Sequence, residues 1–140
     1  MRVDVQWNGK MAFTAVSARS QNQVTMDSSA QHGGEGSGVS PMEMVLAALA
    51  GCSGMDVVSI LNKKRVAYSG ISISVEGERA DEHPRVFTKI NVVYTFTGEN
   101  LEDKRKALED SVRLSMEKYC SVAGMVDKTA EINWRVEIAD

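Results

Sequence analysis

The feature that most constrains the fold is a long apolar segment at residues 40–65. Ser40 is suited to cap a helix and Glu43 stands three residues later, which is the S-x-x-E capping box of a helix start. The residues that follow are apolar on nearly every side, and a helix without a polar face is either buried all round or crosses a membrane. Asp56 interrupts the segment, and the uncharged stretch 44–55 is too short to span a bilayer. We therefore expect a buried central helix wrapped by the rest of the chain.

The composition indicates an ordinary globular protein. With 140 residues, 43% of them hydrophobic and 25% charged, we expect one domain covering residues 1–140. A net charge of −3 provides no basic surplus for binding nucleic acid or an anionic membrane. The first residues contain no apolar signal region, so the expected location is the cytoplasm.

The chain contains two cysteines, Cys52 and Cys120, and two histidines, His32 and His83. In the cytoplasm the cysteines would be reduced, and a pair there more often indicates redox or catalytic use than a structural disulfide. The four residues do not have the spacing of a zinc site, so we expect no metal. Both histidines fall in polar loops and are expected to be solvated.

Periodicity predicts strands before and after the central helix. Alternating apolar and polar residues predict the strands 2–7, 11–18, 23–27, 70–80, 86–96 and 132–138. The first of these is predicted to be half-buried, and Asn8-Gly9 after it is a strong hairpin turn. Residues 28–39 form a glycine-rich loop without the spacing of a nucleotide-binding fingerprint. An amphipathic helix at 102–119 and a short apolar helix at 120–126 complete an α+β order.

The central helix also bears on assembly. A helix that is apolar on all sides needs more cover than six short strands and one amphipathic helix supply. Two copies that lay their central helices together would provide it, so we predict a symmetric homodimer.

Cys52 lies in the middle of the central helix, flanked by glycines that let other backbone or a substrate approach the thiol. It is too far from the N-terminus for the helix dipole to stabilise a thiolate. Without a cation it would be an inert core residue, a common situation for a free cysteine. A reactive thiolate requires a cation from a loop or turn, and the candidates are Arg19, Arg79 and Arg85.

Three other residues each allow two interpretations. Cys120 is either a core cysteine or a resolving thiol, if its Cα atom lies within about 7 Å of that of Cys52. Glu43 stands nine residues before Cys52 on the opposite side of the helix, so it either only caps the helix or also contacts a loop arginine. Asp56 stands one turn after Cys52 on the same face, where its charge disfavours a thiolate unless a cation intervenes.

Two motifs resemble those of the OsmC/Ohr family, the osmotically inducible protein C and organic hydroperoxide resistance proteins. They are SPMEMVLAALAGCSGMDVV at residues 40–58 and KYCSVA at residues 118–123. Within this family the chain is most similar to the YhfA-like branch, which carries the motif E-R-x-x-E-x-P-R-x-F, here at residues 78–87. The resemblance covers essentially the full chain. It implies an OsmC-like α+β fold and an intertwined homodimer, with a long buried central helix wrapped by antiparallel sheets and active sites at the interface.

The resemblance also implies a thiol-dependent peroxidase that reduces organic hydroperoxides. Cys52 would attack the peroxide O–O bond as a thiolate, and Cys120 would capture the resulting sulfenate as a Cys52–Cys120 disulfide. A dithiol reductant, such as a dihydrolipoyl protein, would restore the thiols. The family activates its thiolate with an arginine and a glutamate, for which Arg19 and Glu43 are the candidates here. No bound cofactor or metal is required.

This chain departs from the family pattern at the activating glutamate. The family residue follows the proline directly, where this chain has Met42, and Glu43 is one position later, about 100° around the helix. Whether Glu43 replaces it therefore stays open. The alternative function is a non-peroxidatic thiol protein that binds a small apolar or sulfur-containing ligand at the dimer interface.

Overall fold

The computed structural model describes residues 1–139, and it confirms the α+β class. The strands are β1 (Val3–Trp7), β2 (Phe13–Ser17), β3 (Gln23–Met26), β4 (Gly70–Arg79), β5 (Phe87–Thr97) and β6 (Glu131–Ala139). The helices are α1 (Pro41–Lys63), α2 (Arg105–Leu114) and α3 (Ser121–Val126). The chain separates into two compact units, the first being Met1–Val45 and the second beginning at Leu46, within α1.

The first unit contains the predicted three-stranded meander. β2 pairs antiparallel with β1 on one side and with β3 on the other. The prediction that the first strand is half-buried is wrong, because Val3, Val5 and Trp7 are 56%, 54% and 61% exposed. The alternation correctly marks one apolar face, but a periodic pattern does not supply the surface that would cover that face.

Asp27 organises the glycine-rich loop of the first unit. Its buried carboxylate accepts hydrogen bonds from the Ser28 amide (2.7 Å), the Glu35 amide (3.2 Å) and both the amide (3.0 Å) and hydroxyl (2.6 Å) of Ser37. These bonds, led by that from the Ser37 hydroxyl, lower the pKa of Asp27 to about 2. Gly34 is required where the loop closes, because a Cβ atom there would overlap the Ser28 carbonyl oxygen.

The predicted capping box is present at the start of α1. The Ser40 amide donates to Glu43 Oε1 (2.9 Å), and the Glu43 amide donates to Ser40 Oγ (3.1 Å). The bond from the Ser40 amide, followed by the contribution of the Ser40 side chain, lowers the pKa of Glu43. The helix start is therefore specified within four residues of sequence.

The second unit contains a three-stranded sheet with β5 at its centre. β4 and β5 form the predicted antiparallel hairpin, whereas β6 pairs parallel to β5, so the expected antiparallel pairing holds for every strand pair except this one. The parallel pair arises because α2 and α3 form a crossover between the two strands. The predicted apolar face of β5 is confirmed as core: Ile90, Val92, Tyr94 and Phe96.

Within the single chain, α1 is covered along one row only. The buried residues stand four positions apart: Leu49, Ser53, Val57 and Leu61. Met55 and Val58 on other faces are 76% and 38% exposed. A single copy therefore leaves part of α1 uncovered, which is the gap that the predicted second copy would close; the dimer itself stays a prediction. By length and composition alone α1 is able to cross a membrane, a test that core helices of globular proteins also pass.

The predicted helix at 102–119 is divided into three pieces. A 3₁₀ turn (Leu101–Lys104) precedes α2, and a single wide turn, the π turn (Ser115–Tyr119), follows it. The Cys120 amide donates to the Ser115 carbonyl oxygen (2.7 Å), five residues back. Such π turns recur at functional sites in helices. Here the wide turn ends the helix just before Cys120.

Candidate functional site

The buried row of α1 determines where Cys52 lies. Ser53, the next residue, is fully buried, and Cys52 itself is half-buried at the edge of that row. Its thiol therefore borders the core but retains some solvent exposure.

Cys120 occupies the junction between the π turn and α3. It is 4% exposed, and its Sγ atom caps α3 by accepting the Ala123 amide proton at 3.3 Å. Its own amide is held by the Ser115 carbonyl oxygen at 2.7 Å. The backbone amide and the side-chain sulfur of Cys120 are thus both held by local hydrogen bonds.

The two thiols come together in the second unit. Burial raises the pKa of Cys120 to about 11, and the neighbouring Cys52 side chain adds to this through a hydrogen bond and its negative charge when ionised. The Ala123 amide opposes the shift by donating to the sulfur. Both cysteines are free thiols. The half-buried Cys52 side chain is therefore a neighbour of the buried Cys120 thiol.

A chain of buried hydroxyl groups lies next to this pair. The Tyr94 and Ser53 hydroxyl oxygens are 2.6 Å apart, and the Ser53 and Ser115 hydroxyl oxygens are 2.8 Å apart. Ser115 also donates to Asp56 Oδ2 at 2.9 Å. We call these four residues the hydroxyl chain. Burial raises the pKa of Tyr94 to about 12 against the opposing bond to Ser53, and the nearby Cys120 and Asp56 contribute to the increase.

Sequence reasoning missed Ser53, Tyr94 and Ser115. The signal in the sequence was a serine on an apolar face of a helix, since Ser53 stands between Leu49 and Val57 at helical spacing. Buried hydroxyl groups require partners, so serines at such positions imply polar residues opposite them. Asp56, expected to act on Cys52, instead accepts the last bond of the hydroxyl chain.

An apolar groove of about 620 Å³ runs between α1 and β4. Its lining residues are Ala50, Gly51, Gly54, Met55, Val58, Ser59, Asn62, Ile71 and Ile73. Open space beside Gly51 contributes to it, and Gly54 lets Ile73 approach, since a Cβ atom on Gly54 would be 3.0 Å from Ile73 Cδ1. Gly54 therefore admits one close side chain and Gly51 faces open space, but Cys52 is not among the lining residues, so an approach to the thiol beside these glycines stays a prediction.

The candidate activating residues lie in separate places. Arg79 Nε donates to the Arg85 carbonyl oxygen (2.9 Å), and Arg85 Nε donates to the Ala80 carbonyl oxygen (3.3 Å), so both belong to the turn between β4 and β5. Arg19 is exposed in the turn after β2, and Glu43 is exposed in the first turn of α1, both in the first unit. Their roles in activation stay predictions. Among residues 1–139 no group of three or more His, Cys, Asp or Glu side chains is placed to hold a metal ion.

The comparisons with known proteins agree with this fold. Residues 34–135 match the family model described as OsmC-like protein. The chain is 42% identical over 139 residues to Protein YhfA of Escherichia coli strain K12. The alignment covers 99% of this chain and 98% of that protein. A solved structure of a hypothetical protein from Aquifex aeolicus VF5 is 34% identical with a TM-score of 0.79, over 99% of this chain and 97% of that one.

A more distant solved structure shares the fold alone. It is described as an organic hydroperoxide resistance protein OsmC from Legionella pneumophila, at 13% identity with a TM-score of 0.68, over 98% of this chain and 97% of that one. The predicted resemblance is confirmed by the family match and by the relatives together. The chain belongs to the OsmC-like protein family.

Proposed function

We propose that the protein is a thiol-dependent peroxidase that reduces small organic hydroperoxides. The observation that carries the proposal is the contact between the side chains of Cys52 and Cys120, which places two thiols of different exposure side by side. The fold shared with a protein described as an organic hydroperoxide resistance protein supports the same class of substrate.

The proposed cycle balances with one peroxide and one dithiol. The Cys52 thiolate attacks the distal peroxide oxygen, the O–O bond breaks, and the alkoxide leaves as the alcohol after taking a proton. Cys52 is then a sulfenic acid, which Cys120 attacks to form the disulfide as the hydroxide leaves with the Cys120 proton as water. A dithiol reductant, such as a dihydrolipoyl protein, exchanges with this disulfide and restores both thiols.

The roles of the two cysteines follow from their surroundings. Cys52 is half-buried and reachable from outside, whereas Cys120 is 4% exposed. With a pKa of about 11, Cys120 is protonated at neutral pH. A protonated, buried thiol is a poor first nucleophile but suits the second step, in which it meets an adjacent sulfenic acid.

The first step needs a cation beside Cys52, and we assign this role to Arg19 with Glu43 as its carboxylate partner. The capping box uses Glu43 Oε1. The other carboxylate oxygen, Oε2, can therefore accept a hydrogen bond from an arginine while Glu43 caps the helix. Replacement of Arg19 by Met is expected to slow peroxide attack on the order of a hundredfold, the scale of removing one stabilising donor. The matched control is Arg113→Met, an exposed arginine of α2. Equal rates in the two variants would exclude Arg19.

The working assembly that we propose is a homodimer in the cytoplasm. The apolar residues Val3, Val5 and Trp7 on one face of β1, and Met55 and Val58 on α1, are exposed. Exposed apolar patches mark interaction surfaces. Light scattering after size exclusion is expected to show a dimer, and Met55→Glu to shift it to the monomer. Lys104→Glu, in an exposed polar turn, is the control and should stay dimeric. A monomeric wild-type protein at micromolar concentration would exclude this assembly.

The test of the function is stopped-flow oxidation with cumene hydroperoxide and with hydrogen peroxide, followed by mass mapping. We expect faster reaction with the organic peroxide and a disulfide between Cys52 and Cys120. Cys52→Ser should abolish peroxide consumption, whereas Cys120→Ser should retain one oxidation per chain but form no intramolecular disulfide. The proposal fails if peroxide leaves both thiols titratable, or if Cys52→Ser turns over at the wild-type rate.

The groove of about 620 Å³ favours a second candidate function, the binding of a small apolar ligand, because Cys52 does not line it. A protein of this kind would bind an apolar dye equally well with Cys52 reduced or alkylated, and Cys52 would alkylate only at alkaline pH. A peroxidase would show fast alkylation of Cys52 at neutral pH.

A further inference from the structure

We propose that Ser53, Ser115 and Asp56 are positioning residues that hold Cys52 and Cys120 at the separation needed to form their disulfide. This inference rests on the pairing of the two cysteines in the proposed function. It concerns the hydroxyl chain, whose hydrogen bonds join the two elements that carry the sulfurs.

Ser115 is the centre of the hydroxyl chain. Its hydroxyl group donates to the Ser53 hydroxyl oxygen at 2.8 Å and to Asp56 Oδ2 at 2.9 Å, so its single proton is shared between the two acceptors. The Ser53 and Tyr94 hydroxyl oxygens, 2.6 Å apart, share a further hydrogen bond. Hydrogen bonds linked in this way strengthen one another.

Each serine is coupled directly to one cysteine. Ser53 follows Cys52 in α1, so it moves with the same helical turn. The Ser115 carbonyl oxygen accepts the Cys120 amide proton at 2.7 Å across the π turn. The bond between the serine hydroxyl groups therefore ties the backbone that carries one sulfur to the backbone that carries the other, between positions 62 residues apart.

Burial makes this tie effective. Ser53 and Ser115 are both fully buried, so water cannot replace a lost hydrogen bond. If Ser53 and Ser115 contributed only to packing, alanine would be sufficient at both positions. A hydrogen bond between hydroxyl groups is directional as well as attractive, so it fixes the position of α1 relative to the π turn.

The test is the equilibrium between the dithiol and the disulfide in glutathione buffers, without peroxide. The fraction of Cys52–Cys120 disulfide is measured by alkylation and mass spectrometry as the ratio of reduced to oxidised glutathione varies. Ser53→Ala and Ser115→Ala are expected to lower the effective concentration of one thiol at the other on the order of tenfold, because loosening two reacting groups reduces it steeply. Ser111→Ala is the matched control, since Ser111 is equally buried one turn earlier but donates to the Leu108 carbonyl oxygen instead.

Asp56 supplies a second, milder pair of variants. Asp56→Ala removes the acceptor of the Ser115 proton and should shift the glutathione equilibrium in the same direction. Asp56→Asn keeps an amide oxygen as acceptor and should restore most of it. This pair keeps the proposal testable if the buried serine variants do not fold.

The outcomes separate this inference from the proposed function. A shift in the serine and Asp56→Ala variants, with Ser111→Ala and Asp56→Asn close to wild type, supports the positioning role even if the protein proves inert toward peroxides. Wild-type equilibria in the Ser53, Ser115 and Asp56→Ala variants would overturn it, as would a wild-type protein that forms no disulfide in oxidised glutathione. An equal shift in Ser111→Ala would show a general loss of packing and would also overturn it.

Discussion

The hydroxyl oxygens of Tyr94 and Ser53 lie 2.6 Å apart although the residues are 41 positions apart in the chain. Tyr94 is in the middle of β5 and Ser53 is in the middle of α1, so this bond joins the helix to the sheet. Both side chains are fully buried, and a buried phenol requires a partner for its O–H group. The bond therefore fixes the register of α1 on β5, one residue from Cys52.

Removal of this hydroxyl group should destabilise the second unit. Tyr94→Phe deletes the hydrogen bond between the Tyr94 and Ser53 hydroxyl groups, and we expect the free energy of unfolding to fall by about 1–2 kcal/mol, measured by urea titration of the reduced protein. Tyr119→Phe is the control, because Tyr119 is 52% exposed, and it should change stability by less than about 0.5 kcal/mol. Equal effects of the two substitutions would contradict the role assigned to the buried bond.

Stability at alkaline pH should depend on the redox state. Burial raises the pKa of Cys120 from 9.0 to about 11, so the thiol ionises in the unfolded chain before it does so in the folded one. Its contribution to stability is complete below pH 9 and is lost as the pH rises toward 11, at about 1.4 kcal/mol per pH unit. The disulfide form has no such thiol and should keep its stability between pH 9 and pH 10.

Tyr94 then provides an internal reference for the same experiment. Its pKa is raised from 10.0 to about 12, so both redox forms should lose stability between pH 10 and pH 12. Urea midpoints measured from pH 8 to pH 10 on reduced and oxidised protein test the difference. Parallel curves for the two forms would show that Cys120 is not the group responsible.

Acid should loosen the glycine-rich loop through Asp27. The pKa of this carboxyl group is lowered from 3.8 to about 2, so its contribution is present above pH 3.8 and is lost as the pH falls through 2. Asp27→Ala should produce the same loosening at neutral pH, seen as faster hydrogen exchange at the amides of Glu35 and Ser37. Asp4→Ala, on exposed β1, should leave those amides unchanged. Unchanged exchange in Asp27→Ala would mean that the loop is held by other contacts.

The two roles of Glu43 can be separated by one substitution. Glu43→Gln keeps a side-chain acceptor for the Ser40 amide, so the capping box and the stability of α1 should persist within about 0.5 kcal/mol. If the carboxylate orients the activating arginine, oxidation of Cys52 by cumene hydroperoxide should slow on the order of tenfold. Ser40→Ala is the converse control, which should lower stability with little change in rate per folded molecule. A wild-type rate in Glu43→Gln would reduce Glu43 to a helix cap.

Local features were predictable because they depend on neighbours in the chain. The capping box of Ser40 and Glu43, the hairpin of β4 and β5, and the buried face of β5 all follow from patterns within a few residues. The helix predicted at 102–119 is less regular in the structure because a π turn interrupts it at Ser115, and the periodicity does not reveal such an insertion.

Features that involve distant residues were not available from periodicity. The parallel pairing of β6 depends on the direction in which the crossover returns the chain. The exposure of β1 and of part of α1 depends on which surfaces pack together, whereas an apolar pattern shows only which residues are apolar.

By itself, the sequence determined the helices and strands, the family, and the two cysteines on which any redox function would depend. Only the tertiary structure decided that the thiols of Cys52 and Cys120 meet, and that buried serines and a tyrosine join the elements around them. The physical reason is that caps and periodicity act over a few residues, whereas contacts between residues far apart in the chain are created by the packing of whole elements, whose free energy is shared among many side chains.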